Sequence, residues 1–252
     1  MKIALYYSPG ACSLAPHIVL EELGIPYEAV RISTAQGQQR SPEYLKINPR
    51  GRVPALAVDG KVLVENVAIL SFLGGGFPQK GLWPKTTWDQ AQALSMMAWL
   101  ADTVHPAYAH LFRPERYVQG ESHLEAVKEG GRKAFGDCLA EIDRLLAGRK
   151  WAVGGHFTVL DAYLLVFYRW GNRNGFPVKD LVNYTALVDR ENNDYTVTNT
   201  AKPGSAKTGA SVAIIAVIVV VLAAAGIAIA VVVRKKNTTE NAATQTSPDD
   251  SE

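Results

Sequence analysis

The sequence predicts a small α/β domain (residues 1–78), then an all-α domain (86–190), a polar linker (191–209), a single transmembrane helix (210–233) and a disordered polar tail (234–252). Three observations carry that prediction. Short apolar runs alternate with helical patterns through the first domain; a Gly/Pro-rich junction, Gly74-Gly75-Gly76-Phe77-Pro78, separates it from a part whose pattern is helical throughout. The third is residues 210–233, ASVAIIAVIVVVLAAAGIAIAVVV, which carry no charged side chain.

The elements of the first domain follow in the order β-α-β-α-β-β-α. Residues 2–7 (KIALYY) form a strand and Ser8-Pro9-Gly10 turns the chain. Residues 12–23 then place Leu14, Ile18, Val19 and Leu23 on one helical face, with Gly24 as the stop signal. Residues 27–32 and 55–58 are further strands, and Asp59-Gly60 is the two-residue turn into a strand over 62–64. Glu65 opens a helix running towards Leu73. From Thr87 to about Asp189 the pattern is helical, with Thr158-Val159-Leu160-Asp161 an N-capping box and Phe157 before it a hydrophobic staple residue, a feature of stability rather than chemistry.

Composition limits what the chain does. Lys plus Arg number 26 and Asp plus Glu 24, a formal charge of +2, too balanced for the dense positive face of a nucleic-acid binder, so no nucleic-acid partner is expected. Cys12 and Cys138 are too few for a disulfide framework, which points to a reducing compartment or a chemical role for one thiol. His17, His110, His123 and His156 lack metal-ligand spacing with cysteines or carboxylates, so no metal site is expected.

Five segments carry a family resemblance: YYSPGACSLAPHIVLEELGIPYE, SPEYLKINPRGRVPAL, LVENVAIL, HPAYAHLFRP and GGHFTVLDAYLL. Together they resemble the glutathione transferases, and the first, with its Cys12, resembles the bacterial beta class. The resemblance covers roughly residues 1–188. It implies a thioredoxin-like first domain, a helical second domain, a homodimer, and glutathione bound as co-substrate by the first domain. Beyond Asp189 it stops, where relatives would continue with closing helices.

The candidate catalytic residues are Cys12, Ser13, Tyr7 and His105. A thiol in the first turn of a helix faces unpaired N–H groups and the positive dipole end, both of which favour thiolate; a small buried hydrophobe is the bland alternative. The motif Cys12-Ser13-Leu14-Ala15 has no second cysteine, which excludes intramolecular dithiol chemistry. Cys138, inside a helical pattern, has a structural reading. Tyr7 and Ser13 flank the thiol and can donate to sulfur, although a strand tyrosine is as often plain core. His105 resembles the histidine that lines the beta-class site, its alternative being a structural helical histidine, and Pro106 after it would kink the helix.

The candidate glutathione-binding residues are Val53, Pro54, Glu65 and Asn66. The family counterpart of Pro54 is a cis-proline, whose geometry turns the Val53 backbone towards the cysteine of glutathione; an ordinary trans edge proline is the alternative. Glu65-Asn66, at a helix N-terminus, offers N–H groups suited to a carboxylate where relatives hold the γ-glutamyl group, or is simply a favourable first helical turn. Many relatives carry Ser at the position of Asn66.

The tail sets a second expectation. About 24 uncharged residues make a helix of roughly 36 Å, long enough to cross a hydrocarbon core of about 30 Å. The N-terminal apolar run is cut at Ser8-Pro9-Gly10, too short for a secretory signal, so the catalytic domain is expected to be cytoplasmic, as a tail-anchored protein or, if the tail is a fusion, wholly so. Arg234-Lys235-Lys236 after the span argues for the opposite orientation. The functional reading is a transferase that joins glutathione thiolate to small, largely apolar electrophiles. Its alternatives are thiol exchange or peroxide reduction through Cys12, and a non-catalytic membrane-anchored binding module.

Overall fold

The structure, a computed structural model, describes residues 1–194. Its first part contains β1 (Ile3–Tyr7), α1 (Leu14–Leu23), β2 (Glu28–Arg31), α2 (Pro42–Ile47), β3 (Ala55–Val58), β4 (Lys61–Val64) and α3 (Asn66–Gly76). The sheet runs β2-β1-β3-β4, with β1 parallel to β2 and antiparallel to β3. The parallel pair needs a crossover, and α1 supplies it. Leu5 and Leu56, paired across β1 and β3, are fully buried, so the register puts one continuous apolar face under the helices.

The local signals act as chemistry requires. Gly24 ends α1 with a φ of 61°, the left-handed cap for which glycine has no steric penalty. Asp59 and Gly60 both have positive φ, 47° and 82°, as a two-residue hairpin turn with right-handed twist demands. The Asp59 carboxylate also accepts the Lys2 N–H at 2.7 Å, tying the turn to the start of β1.

The helical part comprises α4 (Thr87–Trp99), α5 (His105–Phe112), α6 (Leu124–Leu145), α7 (Val159–Arg173) and α8 (Val182–Asp194). One apolar core runs through both parts, from Leu5 and Leu23 to Phe135, Phe167 and Tyr184. α1 packs against both α3 and α7, so the helix that follows the thiol belongs to both halves of the core.

The structure differs from the sequence expectations in three places, and a fourth expectation falls outside the residues it describes. α3 continues through Gly74, Gly75 and Gly76 instead of stopping at Leu73, because Gly74 is buried where a Cβ would stand 2.9 Å from Val159 Cγ1 and 3.1 Å from Trp83 Cε3; contact with α7, not chain propensity, selects glycine here. Pro106 does not break its helix. A π-helical turn, Leu100–Val104, joins α4 to α5, and the His105 N–H bonds back to the Leu100 carbonyl, five residues earlier. The wider turn accommodates a residue that lacks the N–H for an i−4 bond. α8 extends to Asp194, into the stretch expected to be linker from residue 191. Finally, the expected transmembrane helix (210–233) and polar tail lie outside the described residues, and among the described residues no helix is long and apolar enough to cross a membrane.

The capping box at α7 is present, with Thr158 and Asp161 both wholly buried. Asp161 accepts from the N–H groups of Ala152 (2.9 Å) and Thr158 (2.8 Å) and from the Thr158 hydroxyl (2.9 Å). Burial pushes its carboxyl up to about 6 against the pull of those donors. Asp161→Ala would strand two buried N–H groups, and urea unfolding should show a loss of about 3 kcal/mol. Asp161→Asn, which keeps one acceptor oxygen, should lose less.

Candidate functional site

Residues from both halves meet at a cavity of about 160 Å³. Cys12, Asn48, Arg52, Val53, Pro54, Glu65, Asn66 and Val67 line it from the first half, and Ala101, His105, Pro106, Ala109, Arg116, Tyr117 and Tyr163 from the helical half. Six of the eight residues singled out in the sequence are here: Cys12, Val53, Pro54, Glu65, Asn66 and His105. Tyr7 and Ser13 are not.

The thiol sits in a tight loop between β1 and α1. Ser8 and Ser13 clamp that loop reciprocally: the Ser8 N–H donates to Ser13 Oγ at 3.1 Å, and Ser13 Oγ donates to the Ser8 carbonyl at 3.2 Å. This commits the Ser13 proton to the loop, which corrects its expected role as a donor to sulfur. Tyr7 is likewise corrected, since its ring lies edge-on to His17 with centroids 4.9 Å apart, and it lines no part of the cavity. A short strand shows which residues alternate but not which alternate set faces a cleft.

Cys12 precedes α1 by two residues and is buried. Its Sγ donates to the Val53 carbonyl at 3.7 Å. Burial pushes the thiol up to about 12, while its own N–H and the Asn66 amide pull weakly the other way. The direction is opposite to the helix-dipole expectation. Desolvation of a charged sulfur outweighs the dipole because the residue lies outside the helical turn and inside the core. Cys12 is therefore a neutral thiol donor in this site.

The opposite wall is held with equal care. The Val53-Pro54 bond is cis, as the resemblance implies. The Arg52 carbonyl beside it accepts from the Tyr44 hydroxyl and from Asn48 Nδ2, both at 2.7 Å, which fixes the peptide leading into Val53. No described residue accepts from the Val53 N–H. Glu65 takes a φ of 71° at the start of α3, a conformation uncommon outside glycine. The first amide to bond back is Ile69, to Glu65, so the N–H groups of Asn66 and Val67 point out of the helix end without intrahelical acceptors. Asn66 Nδ2 donates to the Cys12 carbonyl at 3.0 Å, while its buried Oδ1 has no partner.

His105 is held edge-on by Trp170, with centroids 5.0 Å apart, and by Phe167 at 6.3 Å. Burial, reinforced by the positive charges of Arg52 and Arg116, lowers its pKa from 6.5 to about 4. It is a neutral imidazole at pH 7. Trp170 also donates its Nε1 proton to the Gly10 carbonyl at 2.9 Å, joining the thiol loop to the helix that positions His105.

Sequence reasoning missed Arg52, Arg116, Tyr117, Tyr163 and Asn48. Tyr163 is buried and interacts with the Asn66 side chain and Cys12; burial raises its phenol. Asn48, Arg52 and Tyr163 stood inside quoted motifs, Arg116 and Tyr117 outside them, and nothing local marks any of the five as cleft-facing. Cys138 lies on α6, buried, and lines no part of the cavity. A larger groove of about 560 Å³ between α4 and α6 is lined by Trp88, Met96, Trp99 and Leu145, among others, but includes none of the candidate residues. Among the described residues no cluster of His, Cys, Asp or Glu is arranged to hold a metal ion.

Comparison with known proteins agrees with this geometry. Residues 1–75 match the family model described as glutathione S-transferase, N-terminal domain. The glutathione S-transferase GST-4.5 of Xanthomonas campestris pv. campestris is 35% identical over 187 residues, covering 74% of this chain and 91% of that protein. The crystal structure of a glutathione transferase homolog from Sulfitobacter with bound glutathione has a TM-score of 0.72 and 32% identity, covering 75% of this chain and 91% of the other. A bacterial beta class glutathione S-transferase from Sphingomonas chungbukensis has a TM-score of 0.66 and 33% identity, covering 75% and 92%.

Two measurements check the protonation states. Iodoacetamide should alkylate Cys12 at pH 8 far more slowly than a free thiol, because thiolate is the reacting form. The His105 ring signal should not titrate above pH 5 in an NMR series. The unfolded chain binds this proton near 6.5 and the folded chain only near 4, so the stability contributed by neutral His105 is full above pH 6.5 and is lost as pH falls towards 4.

Proposed function

The chain belongs to the glutathione transferase family, and on that footing we propose that it joins the thiol of glutathione to small, largely apolar electrophiles in the cavity between Cys12 and His105. The observation that carries this reading is the convergence of Cys12, Val53, Asn66 and His105, from four separated stretches of chain, on one cavity.

The residues present fit glutathione as a substrate. Unpaired N–H groups at the start of α3 suit the γ-glutamyl carboxylate, by hydrogen bonding and by the helix dipole. The orphaned Asn66 Oδ1 suits an ammonium or amide proton of the same group. The Val53 backbone suits the cysteinyl portion, paired as an added strand would be. Sulfur then comes to the Cys12 side of the cavity. Cys12 serves as a protonated donor there, and its S–H stabilises the thiolate of glutathione as a neutral dipole would.

In the reaction the glutathione thiol gives up its proton, the thiolate sulfur forms a bond to the electrophilic carbon, and the leaving group departs with the electron pair of its own bond to that carbon. The proton passes to solvent; His105, its pKa lowered to about 4, is neutral and serves as a hydrogen-bond partner in the cavity, not as the base. The apolar wall of Ala101, Pro106 and Ala109 suits the body of the co-substrate. Thiol exchange through Cys12 is disfavoured by its raised pKa, since exchange needs the attacking sulfur as thiolate.

Two further readings rest on less. Homodimer assembly follows the family, and exposed Val62, Phe72 and Trp88 are apolar surface for a second copy; light scattering tests it. Membrane anchoring by residues 210–233 rests on the sequence alone, and extraction with carbonate tests it: a chain released to the supernatant is not anchored.

The catalytic reading has its own test. Cys12→Ala should still be retained on immobilised glutathione and should lose only part of its conjugation rate, about tenfold for one lost donor to a charged group. Asn66→Ala should weaken glutathione binding by a comparable factor. A folded protein that neither binds glutathione nor conjugates a neutral aryl halide would overturn the proposal.

A further inference from the structure

The mouth of the cavity holds two cations and lacks the anion that would balance them. Arg52, from the segment before β3, and Arg116, from the short helical turn after α5, both line the cavity and both are exposed. Neither guanidinium forms a hydrogen bond or ion pair with any described residue. Each raises the positive potential felt by His105, and Arg52 and Arg113 both disfavour the charge on Arg116, whose pKa is lowered first by burial. The guanidiniums therefore lie within electrostatic range of one another and of the imidazole.

The carboxylates nearby do not pair with these guanidiniums. The one carboxylate lining the cavity, Glu65, accepts from Arg50 Nη1 at 3.0 Å. Glu115, next to Arg116 in the chain, favours the Arg116 charge but forms no ion pair with it, is exposed and is not among the lining residues. Arg50, two positions before Arg52, by contrast has its acid. Like charges held together across a cleft repel, and a bound anion relieves that repulsion while gaining a charge-assisted hydrogen bond.

The position of Arg116 decides which ligand the anion belongs to. The groups matched above to the γ-glutamyl and cysteinyl backbone of glutathione, the Val53 backbone and the start of α3, are on the first half. Arg116 belongs to the helical half with Pro106, Ala109 and Tyr117, the wall suited to the co-substrate. Resting on the glutathione reading above, we propose that the electrophile this site takes carries a carboxylate, held by Arg116 with Arg52 facing it across the cavity mouth. The substrate class is thus an apolar electrophile with an anionic end, in place of a fully neutral one.

Paired conjugates test this directly by binding. Calorimetry would compare S-(4-carboxybenzyl)glutathione with its benzoate methyl ester, S-(4-methoxycarbonylbenzyl)glutathione, on the full chain. The acid should bind about tenfold more tightly than the ester, the low end for a hydrogen bond to a charged group. That ratio should fall to about one in Arg116→Gln, fall in part in Arg52→Gln, and shrink at high salt. It should stay at the wild-type value in Lys133→Gln, an exposed control on α6.

Equal binding of acid and ester to the wild type would overturn the proposal. So would a preference for the acid that survives in Arg116→Gln, even where Arg52→Gln weakens glutathione, acid and ester alike, since Arg52 would then serve glutathione itself. Those failures leave glutathione binding intact. A folded chain that binds neither conjugate nor glutathione would instead remove the reading on which this proposal stands, together with the proposal.

Discussion

One hydrogen bond fixes the geometry on which the site depends: the Trp170 indole donates to the Gly10 carbonyl. It joins positions 160 residues apart in the chain. Its net energy is modest, about 1 kcal/mol for a neutral pair, but it sets a position. Gly10 holds a φ of 76°, a conformation open to glycine at little cost, and directs its carbonyl at α7. From the other side Asn66 donates to the Cys12 carbonyl. The thiol loop is thus held by the serine clamp, by α3 and by α7 at once. Because the same indole packs against His105, it also sets the separation between thiol and imidazole.

The surrounding core makes that separation rigid. Among the described residues the buried polar ones are Ser8, Ser13, Asn48, Asn66, Thr158 and Asp161. The last two close the start of α7, the helix that carries Tyr163 and Trp170. Asn48 and Asn66 line the cavity, Ser8 and Ser13 clamp the loop that carries the thiol, and Asn66 alone among these four has an unpartnered acceptor. Elsewhere the core is apolar and continuous through α1 and α7. Sliding the two halves past one another would expose wholly buried Leu20, Leu23 and Phe167, at a cost of about 1.5–3 kcal/mol for each such side chain.

How much of this was legible depended on whether the signal was local. The βαβαββα order, the Asp59-Gly60 turn, the Gly24 cap and the Thr158–Asp161 box were readable because each is decided within a few residues by backbone sterics or side-chain capping. The convergence of Cys12, Val53, Asn66 and His105 was readable only through the family resemblance. Ser13 and Tyr7 misled because closeness in sequence was taken for closeness in space. Ser13 turned back to bond Ser8, as short hydroxyl side chains do beside a turn, and Tyr7 turned towards α1. The π-helical turn before Pro106 was hidden because it is a tertiary solution to a missing N–H. Arg116 was invisible for a related reason: an exposed arginine has no periodic signature, and its meaning comes from the cation opposite and the carboxylate that is absent.

The protonation states then give the cavity a definite electrostatic character. Burial keeps Cys12 as a thiol and His105 as a neutral imidazole, while Glu65, paired with Arg50, and the guanidiniums of Arg52 and Arg116 also line the cavity. A sulfur anion brought beside Cys12 meets the dipole of a neutral thiol and not a second thiolate. Had Cys12 been a thiolate, two sulfur charges at about 4 Å would repel by about 4 kcal/mol at an effective dielectric constant near 20, more than a single thiol hydrogen bond returns. On the proposed reading, the burial that disables Cys12 as a nucleophile suits it to stabilise another molecule's thiolate. The same desolvation lowers His105 and leaves it a neutral, weakly basic hydrogen-bonding group. One physical cause, removal from water, thus keeps both groups uncharged beside the incoming sulfur.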